Sequence, residues 1–262
     1  MGKYPIYIFK SISNISMKHS LKDVIAKSRR VNDIENKRLH PFASKVSIYF
    51  SWVFINLGLT PNQVTGLFFL TGFAGAIILL VNSWTALIIS YLLFRLHIII
   101  DVSDGEVARY TKLFSINGSY WDSMIHAVLY PLFFICMCIA QYYSFGDSHF
   151  LIIASIGGIV VSLKLSVKNN YYRAMLFNNS SLSDFKEKTN SLSKKGLRFK
   201  IFNFISETLS FEGLFIGYFT AYYFNIASYF KYLFLIYLCS FFLIVLVKFQ
   251  QLSTKGFYRT RS

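Results

Sequence analysis

Long apolar runs, separated by short polar stretches, constrain the fold of this chain more than any other feature. A helix needs about 20 mostly apolar residues to cross the hydrocarbon core of a bilayer. Six segments approach that length and are predicted to be transmembrane helices: residues 62–81, 84–100, 119–142, 149–167, 208–226 and 229–249. A shorter run, 46–57, is predicted to be an interfacial helix, with Tyr49 and Trp52 at the head-group level.

The composition agrees with a membrane protein. Of the 262 residues, 54% are hydrophobic and only 15% are charged, whereas soluble domains average about 25% charged residues. We therefore expect an all-α integral membrane protein with six transmembrane helices preceded by a short interfacial helix. The predicted organisation is a basic cytoplasmic segment (1–45), a six-span domain (46–250) and a basic cytoplasmic tail (251–262).

The positive charges are confined to particular polar segments. The formal net charge is +15, with ten Lys and Arg residues before the first predicted span, nine from Lys164 to Lys200 and four from Lys248 to Arg261. The loops 82–83 and 143–148 carry none. Because basic loops mark the cytoplasmic side, both chain ends are predicted in the cytoplasm, at a bacterial cytoplasmic membrane. Basic residues grouped in the polar segments between apolar runs suit anionic lipid head groups and phosphate-bearing substrates. Nucleic acid is therefore not an expected partner.

Acidic residues directly follow the second apolar run, in DVSDGEVARYTKLFSINGSYWDSMIH (101–126). Asp101 and Asp104 share one helix face, and Asp122 and His126 share a face of the next helix. A short linker joins the two helices, so three carboxylates and an imidazole are predicted to converge at the cytoplasmic boundary of the membrane. Such oxygen-rich sites suit a hard divalent cation, Mg²⁺ or Mn²⁺.

A structural explanation of the same cluster stays open at this point. Ion-pair networks mimic functional sites, and Arg109 and Lys112 lie close enough in sequence to neutralise the carboxylates.

The order and spacing of these residues carry more information than the charges. The stretch resembles the signature of the CDP-alcohol phosphatidyltransferase family, D-x-x-D-G-x-x-A-R, eight residues, then G-x-x-x-D-x-x-x-D. Seven positions match: Asp101, Asp104, Gly105, Ala108, Arg109, Gly118 and Asp122. His126 stands where the family has its last aspartate. Upstream, LTPNQVTG (59–66) is similar to the T-P-N-x-x-T stretch before the family's first span, and Thr60 and Pro61 there predict a helix start.

The resemblance implies a membrane-embedded phosphotransferase. In this family a hydroxyl acceptor displaces CMP from a CDP-alcohol donor, with two Mg²⁺ or Mn²⁺ ions, in a homodimer. The implied metal ligands are Asp101, Asp104, Asp122 and His126, with Asp122 and His126 catalytic. Candidate substrate-binding residues are Asn62, Thr65, Gly105, Ala108, Arg109, Gly118, Lys164 and Lys168. The two lysines lie on a basic edge that suits an acceptor or lipid phosphate, and equally a general contact with anionic lipid.

The histidine at position 126 leaves several readings open. A neutral imidazole can accept the acceptor's proton as the aspartate would. It can also bind metal, although Mg²⁺ prefers oxygen ligands. Otherwise His126 is structural, or it marks a chain that binds a CDP-alcohol without turning it over.

A non-enzymatic membrane protein is the alternative from another class. The candidates are a CDP-alcohol-binding pseudoenzyme, a cation transporter and a scaffold. A transporter is expected to place ionisable groups near the bilayer midplane, on paired broken helices. Here the ionisable groups cluster at one end of the predicted spans, which favours chemistry at the membrane surface.

For the enzyme, the expected product is a phospholipid or a lipid- or glycan-linked phosphodiester of the cell surface.

Overall fold

A computed structural model describes residues 18–29, 41–177 and 211–253 of the chain. The described residues form helices and no strand, as the all-α prediction requires. The helices are α1 (Leu21–Ser28), α2 (Pro41–Asn56), α3 (Pro61–Ile78, extended by a 3-10 turn at Leu79–Val81), α4 (Trp84–Thr111), α5 (Ile116–Phe145), α6 (His149–Phe177), α7 (Phe211–Phe224) and α8 (Ala227–Ser253).

Five helical segments in the described part are long and apolar enough to cross a membrane. They are Pro61–Val81, Trp84–Thr111, Ile116–Phe145, His149–Val167 and Ser228–Val247. These segments indicate an integral membrane protein. Helix α7 has 14 residues and lies within the predicted span 208–226, whose first residues fall outside the described part. The span 208–226, and with it the count of six, stays a prediction, as does the interfacial position of α2.

Two helices extend beyond the apolar segments from which they were predicted, because polar residues continue the helix. Helix α4 continues past residue 100 to Thr111, and the left-handed Lys112 (φ 58°) follows its end. The acidic stretch after the second apolar run is thus part of one continuous helix. Helix α2 begins at Pro41, before the predicted residue 46, because proline suits the first position of a helix. Hydropathy marks the lipid-facing part of a helix and does not mark where its backbone ends.

The chain divides into two compact units. The first comprises Met1–Thr71 and Arg95–Asp122, and the second comprises Gly72–Phe94 and Ser123–Ser262. Helices α3, α4 and α5 contribute residues to both.

The first unit is held together by a buried polar network. The Glu106 side chain is fully buried and accepts hydrogen bonds from the hydroxyls of Ser47 (3.1 Å) and Ser51 (2.7 Å). The Ser103 hydroxyl donates to the carbonyl of Ser47 at 3.1 Å. A buried carboxylate without such donors is costly, so these bonds specify how α2 packs on α4 within this unit.

The second unit has an aromatic core. The ring of Phe94 lies 4.7 Å from that of Phe215 and 5.3 Å from that of Phe133. Helix α8 packs on α6 and α7. A Cβ at Gly157 on α6 would overlap the ring of Phe134 on α5, so glycine is needed for this close helix approach.

The turns of the second unit meet at one end. Asn82 and Asn225, with φ near 50°, end their helices in the left-handed conformation that asparagine tolerates. The Asn82 side chain donates to the Ser144 hydroxyl, and the Tyr222 hydroxyl donates to the Asn82 carbonyl at 2.9 Å. The loops predicted to share the side without basic residues, 82–83 and 143–148, are therefore neighbours.

Candidate active site

The start of α3 is built by a capping box. The side chain of Gln63 accepts from the backbone N–H of Thr60 at 2.9 Å, and the Thr60 hydroxyl accepts from the N–H of Gln63 at 3.4 Å. Pro61 occupies the first helical position, where no N–H is needed. The helix start predicted at Thr60 and Pro61 is thus confirmed, and it places Asn62 and Thr65 on the first turns of α3.

A cavity of about 300 Å³ lies within the first unit, between the first turns of α3, the end of α4 and the start of α5. Eight of the residues predicted from the motifs line it: Asn62, Thr65, Asp104, Gly105, Ala108, Arg109, Gly118 and Asp122. Residues that lie far apart in the sequence thus share one polar pocket. A cavity of this size suits a small ligand or part of a larger one.

Three carboxylates lie close together beside this cavity. Oxygens of Asp101 and Asp122 lie within 4.8 Å of each other. The negative charges of both residues act on Asp104, whose Oδ2 lies 3.0 Å from the hydroxyl of Thr65. Like charges at such separations repel, and a cation with a preference for oxygen ligands relieves the repulsion.

Two glycines keep the cavity open and its walls close-packed. A Cβ at Gly118 would lie 3.0 Å from the Ser115 hydroxyl and 3.1 Å from the Asn62 Oδ1. A Cβ at Gly105 would lie 3.2 Å from Nη1 of Arg109. Both contacts are tighter than ordinary van der Waals distance, so any larger residue displaces a neighbouring polar group. The guanidinium of Arg109 therefore lies over Gly105.

Asp101, which does not line the cavity, belongs to the first unit, whereas His126, Lys164 and Lys168 belong to the second. His126 lies on α5 one helical turn beyond Asp122, and its ring stacks on Tyr130 with centroids 5.5 Å apart. Lys164 on α6 places its ammonium 3.8 Å from the ring centroid of Phe241. Lys168 is on the same helix, but its side chain lies outside the described residues. The substrate roles of both lysines stay predictions.

The cavity also includes residues that the motif comparison did not single out. They are Leu113, Phe114, Ser115 and Ser119; Pro61, which the sequence marked only as a helix start, lines the cavity as well. Ser115 accepts from the backbone N–H of Gly118 at 2.9 Å, so it caps the start of α5. A serine just before an apolar helical run is a recognisable capping signal. The apolar pair Leu113 and Phe114 has no such signal in the sequence.

The chain was compared with known proteins over the segment that contains this cavity. The family model for CDP-alcohol phosphatidyltransferases matches residues 58–185. A comparison with curated proteins found no match. The matched segment contains the capping box of α3, the whole cavity lining and His126. The match over residues 58–185 supports a phosphotransferase role in membrane lipid synthesis.

Proposed function

We propose that this protein transfers a phospho-alcohol or phosphatidyl group from a CDP-alcohol to a hydroxyl acceptor and releases CMP, in phospholipid or surface-glycolipid synthesis. One observation carries the proposal: the cavity in the first unit is lined by eight residues of the two family motifs. A merely structural ion-pair cluster gives no reason for such a cavity beside the carboxylates.

The reaction is a displacement at phosphorus. The acceptor oxygen bonds to the β-phosphorus of the CDP-alcohol, the bond between that phosphorus and the bridging oxygen of the diphosphate breaks, and CMP leaves with the bonding electrons. The acceptor loses its hydroxyl proton to a base. The product is a phosphodiester, so the site needs a nucleotide pocket, groups that offset phosphate charge, and a proton acceptor.

The cavity residues fit the nucleotide part of the donor. Gly105, Ala108 and Gly118 leave space for a ligand near the backbone, because larger residues would fill or distort the wall. Arg109 offers a guanidinium for a phosphate. Asn62 and Thr65 supply short polar side chains from α3.

The carboxylates fit a divalent metal site. Asp101, Asp104 and Asp122 provide anionic oxygens of the kind that Mg²⁺ and Mn²⁺ prefer, and His126 is the further candidate ligand. Bound there, one or two ions would orient the diphosphate and offset the charge of the departing CMP. The contribution of the chain itself is to hold these carboxylates on rigid helices, with Thr65 orienting Asp104.

His126 is proposed as the base. Four residues beyond Asp122 on α5, it lies on the same helix face. A neutral imidazole nitrogen can take the acceptor's proton, which is the role assigned to aspartate in the family.

The proposed setting is a six-span domain over residues 46–250, in which α7 belongs to the fifth span and α2 lies at the interface. Both termini and the site face the cytoplasm. Lys164 and Lys168 would contact acceptor or lipid phosphates.

Cysteines introduced at Ser83 and Ser183 test the orientation, because only the first should react with an impermeant reagent added outside the cell. Labelling of Ser183→Cys from outside overturns this arrangement.

Metal-dependent exchange tests the proposed reaction and identifies the donor. Purified protein is incubated with radiolabelled CMP, Mg²⁺ or Mn²⁺, and a panel of CDP-alcohols. Since the reverse reaction returns CMP to the donor, label should enter one CDP-alcohol in the presence of its matching product. A chelator should abolish this exchange. Binding of a CDP-alcohol without exchange or transfer, under all of these conditions, contradicts the proposed function and supports a pseudoenzyme.

A further inference from the structure

The short helix α1 makes contacts at both of its ends within the first unit. At its start, the His19 carbonyl accepts from the indole N–H of Trp52 at 2.8 Å, and the His19 N–H donates to the side chain of Asn56 at 3.0 Å. Beyond its end, Arg29 donates to the Ser44 carbonyl at 3.2 Å. These partners all lie on α2. Hydrogen bonds to α2 therefore hold α1 at both ends, through His19 before it and Arg29 after it.

Helix α1 also contacts the end of α4, at the motif arginine. Nε of Arg109 donates to the Ser28 carbonyl at 2.5 Å. Ser28 is the last residue of α1 and is fully buried. Carbonyls in the last turn of a helix have no partner within the helix and carry its negative dipole end, so they suit a cation. Two contacts thus orient the guanidinium of Arg109: the hydrogen bond to the Ser28 carbonyl, and its close packing against Gly105.

A second contact between α1 and α4 lies beside the first. The Tyr110 hydroxyl donates to Oδ2 of Asp23 at 2.7 Å and lies 2.9 Å from Nδ1 of His19. Tyr110 follows Arg109 directly, so it holds α1 at the position where the Ser28 carbonyl meets the guanidinium. Asp23 also forms an ion pair with Lys27 at 2.8 Å, on the exposed side of the helix.

We propose that α1 is a positioning element for the nucleotide pocket, and that Tyr110 and Asp23 are the positioning residues that make it one. They keep the Ser28 carbonyl against Arg109, and this contact sets the direction in which the guanidinium meets a phosphate in the cavity. The inference rests on the proposed function for the identity of the ligand. It assigns a role to residues 19–28, which lie outside the segment that the family model matches.

CMP binding by the purified full-length protein tests the proposal. In Tyr110→Phe and in Asp23→Ala we expect the Kd for CMP to rise about fivefold, the scale of one ordinary hydrogen bond. The double variant should be no weaker than either single variant, because both remove the same contact. Asp23→Asn, which still offers an acceptor oxygen, should restore part of the affinity. Partial unfolding would instead lower the number of binding sites and leave the Kd unchanged.

Two control variants separate this contact from general effects on the surface. Lys27→Met removes the other partner of Asp23, an exposed ion pair of a kind that contributes little, and should leave the Kd unchanged. Tyr49→Phe removes a tyrosine hydroxyl from an exposed position on α2 and should do the same. A Kd that rises as much in Lys27→Met as in Asp23→Ala overturns the proposal.

A second readout requires neither CMP nor turnover. Val24 on α1 is fully buried, so Val24→Cys, in a chain whose exposed Cys239 is replaced by serine, should react slowly with a water-soluble maleimide. Adding Tyr110→Phe should speed this reaction severalfold. If labelling and the Kd are both unchanged by Tyr110→Phe, α1 is not held by Tyr110 and the proposal is wrong.

The two proposals fail in distinguishable ways. A wild-type protein that binds CMP but transfers nothing contradicts the proposed function, while the Kd of Tyr110→Phe still decides the role of α1. A wild-type protein that binds no CMP overturns both.

Discussion

The hydroxyl of Thr65 on α3 lies 3.0 Å from Oδ2 of Asp104 on α4, and it is buried within the first unit. The same hydroxyl lies 3.0 Å from the Pro61 carbonyl, so its single proton is available to either acceptor. This bond connects the capping box that begins α3 to the carboxylate cluster. The two family motifs therefore meet through one side-chain contact.

Replacing Thr65 should chiefly weaken the binding of the metal ion. Thr65→Val removes the donor that orients Asp104, and loss of such a supporting bond lowers metal affinity by about 10- to 100-fold. The Mg²⁺ concentration for half-maximal CMP release should rise accordingly, while Thr65→Ser should stay near wild type. Thr71→Val is the matched control, because the Thr71 hydroxyl contacts only backbone carbonyls of its own helix in the described structure. An unchanged Mg²⁺ requirement in Thr65→Val contradicts this role.

Sequence patterns predicted this site better than they predicted the elements around it. Motif spacing indicated which residues of α4 and α5 line one cavity, and the capping residues marked where α3 starts. The contacts of Glu106 with Ser47 and Ser51 had no such pattern, because they join residues 59 and 55 positions apart in the sequence. Contacts of this kind depend on how α2 packs, and packing has no local signature.

The same distinction applies to α1. Its amphipathic pattern is compatible with a helix on the membrane surface, and the sequence predicts no more for residues 1–45 than a basic segment that is amphipathic or poorly ordered. Its role beside Arg109 depends on a backbone carbonyl, that of Ser28, which any residue type would supply. Sequence comparison cannot register a partner of that kind.

The carboxylates should be needed individually for metal-dependent turnover. Asp104→Asn keeps the shape of the side chain and removes its charge, so CMP release should fall by at least roughly 100-fold, as when one preorganised charged group is lost. Asp101→Asn and Asp122→Asn should behave similarly, and a chelator should abolish wild-type activity until Mg²⁺ or Mn²⁺ is restored. Asp147→Asn changes a carboxylate in a turn of the second unit and is the control, which should leave CMP release unchanged. Near-normal turnover in Asp104→Asn would rule out the assigned site.

The buried network around Glu106 should contribute to stability. Glu106→Leu removes the closer acceptor of the Ser47 and Ser51 hydroxyls and leaves them only the longer contacts to the carbonyls of Ser44 (3.3 Å) and Ser103 (3.4 Å), at a cost of about 1 kcal/mol for each hydrogen bond lost. The midpoint of thermal unfolding in detergent should fall by several degrees. Glu106→Gln still offers an acceptor oxygen and should be less destabilised. Equal midpoints for the two variants would show that the hydrogen bonds do not matter.

The turn at Asp147 should make stability depend on pH in acid. The ammonium of Lys231, together with the ring and backbone N–H of His149, holds the pKa of Asp147 well below its ordinary value of 3.8. A carboxyl with a lowered pKa stabilises the folded state above its unfolded pKa and loses that contribution as the pH falls. The unfolding midpoint of the wild type should therefore exceed that of Asp147→Asn at pH 6, and the difference should shrink below about pH 4. A difference that is constant between pH 6 and pH 3 contradicts the ion pair.

The sequence resemblance assigns His126 to the position of the family's last aspartate, and variants of His126 separate the roles that the sequence leaves open. If its imidazole accepts the acceptor's proton, His126→Ala should lose at least roughly 100-fold in CMP release, the scale of general base catalysis. CMP binding should persist, because the cavity lining is unchanged. His126→Asp should recover part of the turnover by restoring the family's residue. His149→Ala, at an exposed histidine that begins α6 in the second unit, should have no effect on turnover. Normal turnover in His126→Ala would make this histidine structural and place the base elsewhere. A wild type that binds CMP and never releases it from any CDP-alcohol, while His126→Asp does, would instead show that the histidine marks lost catalysis.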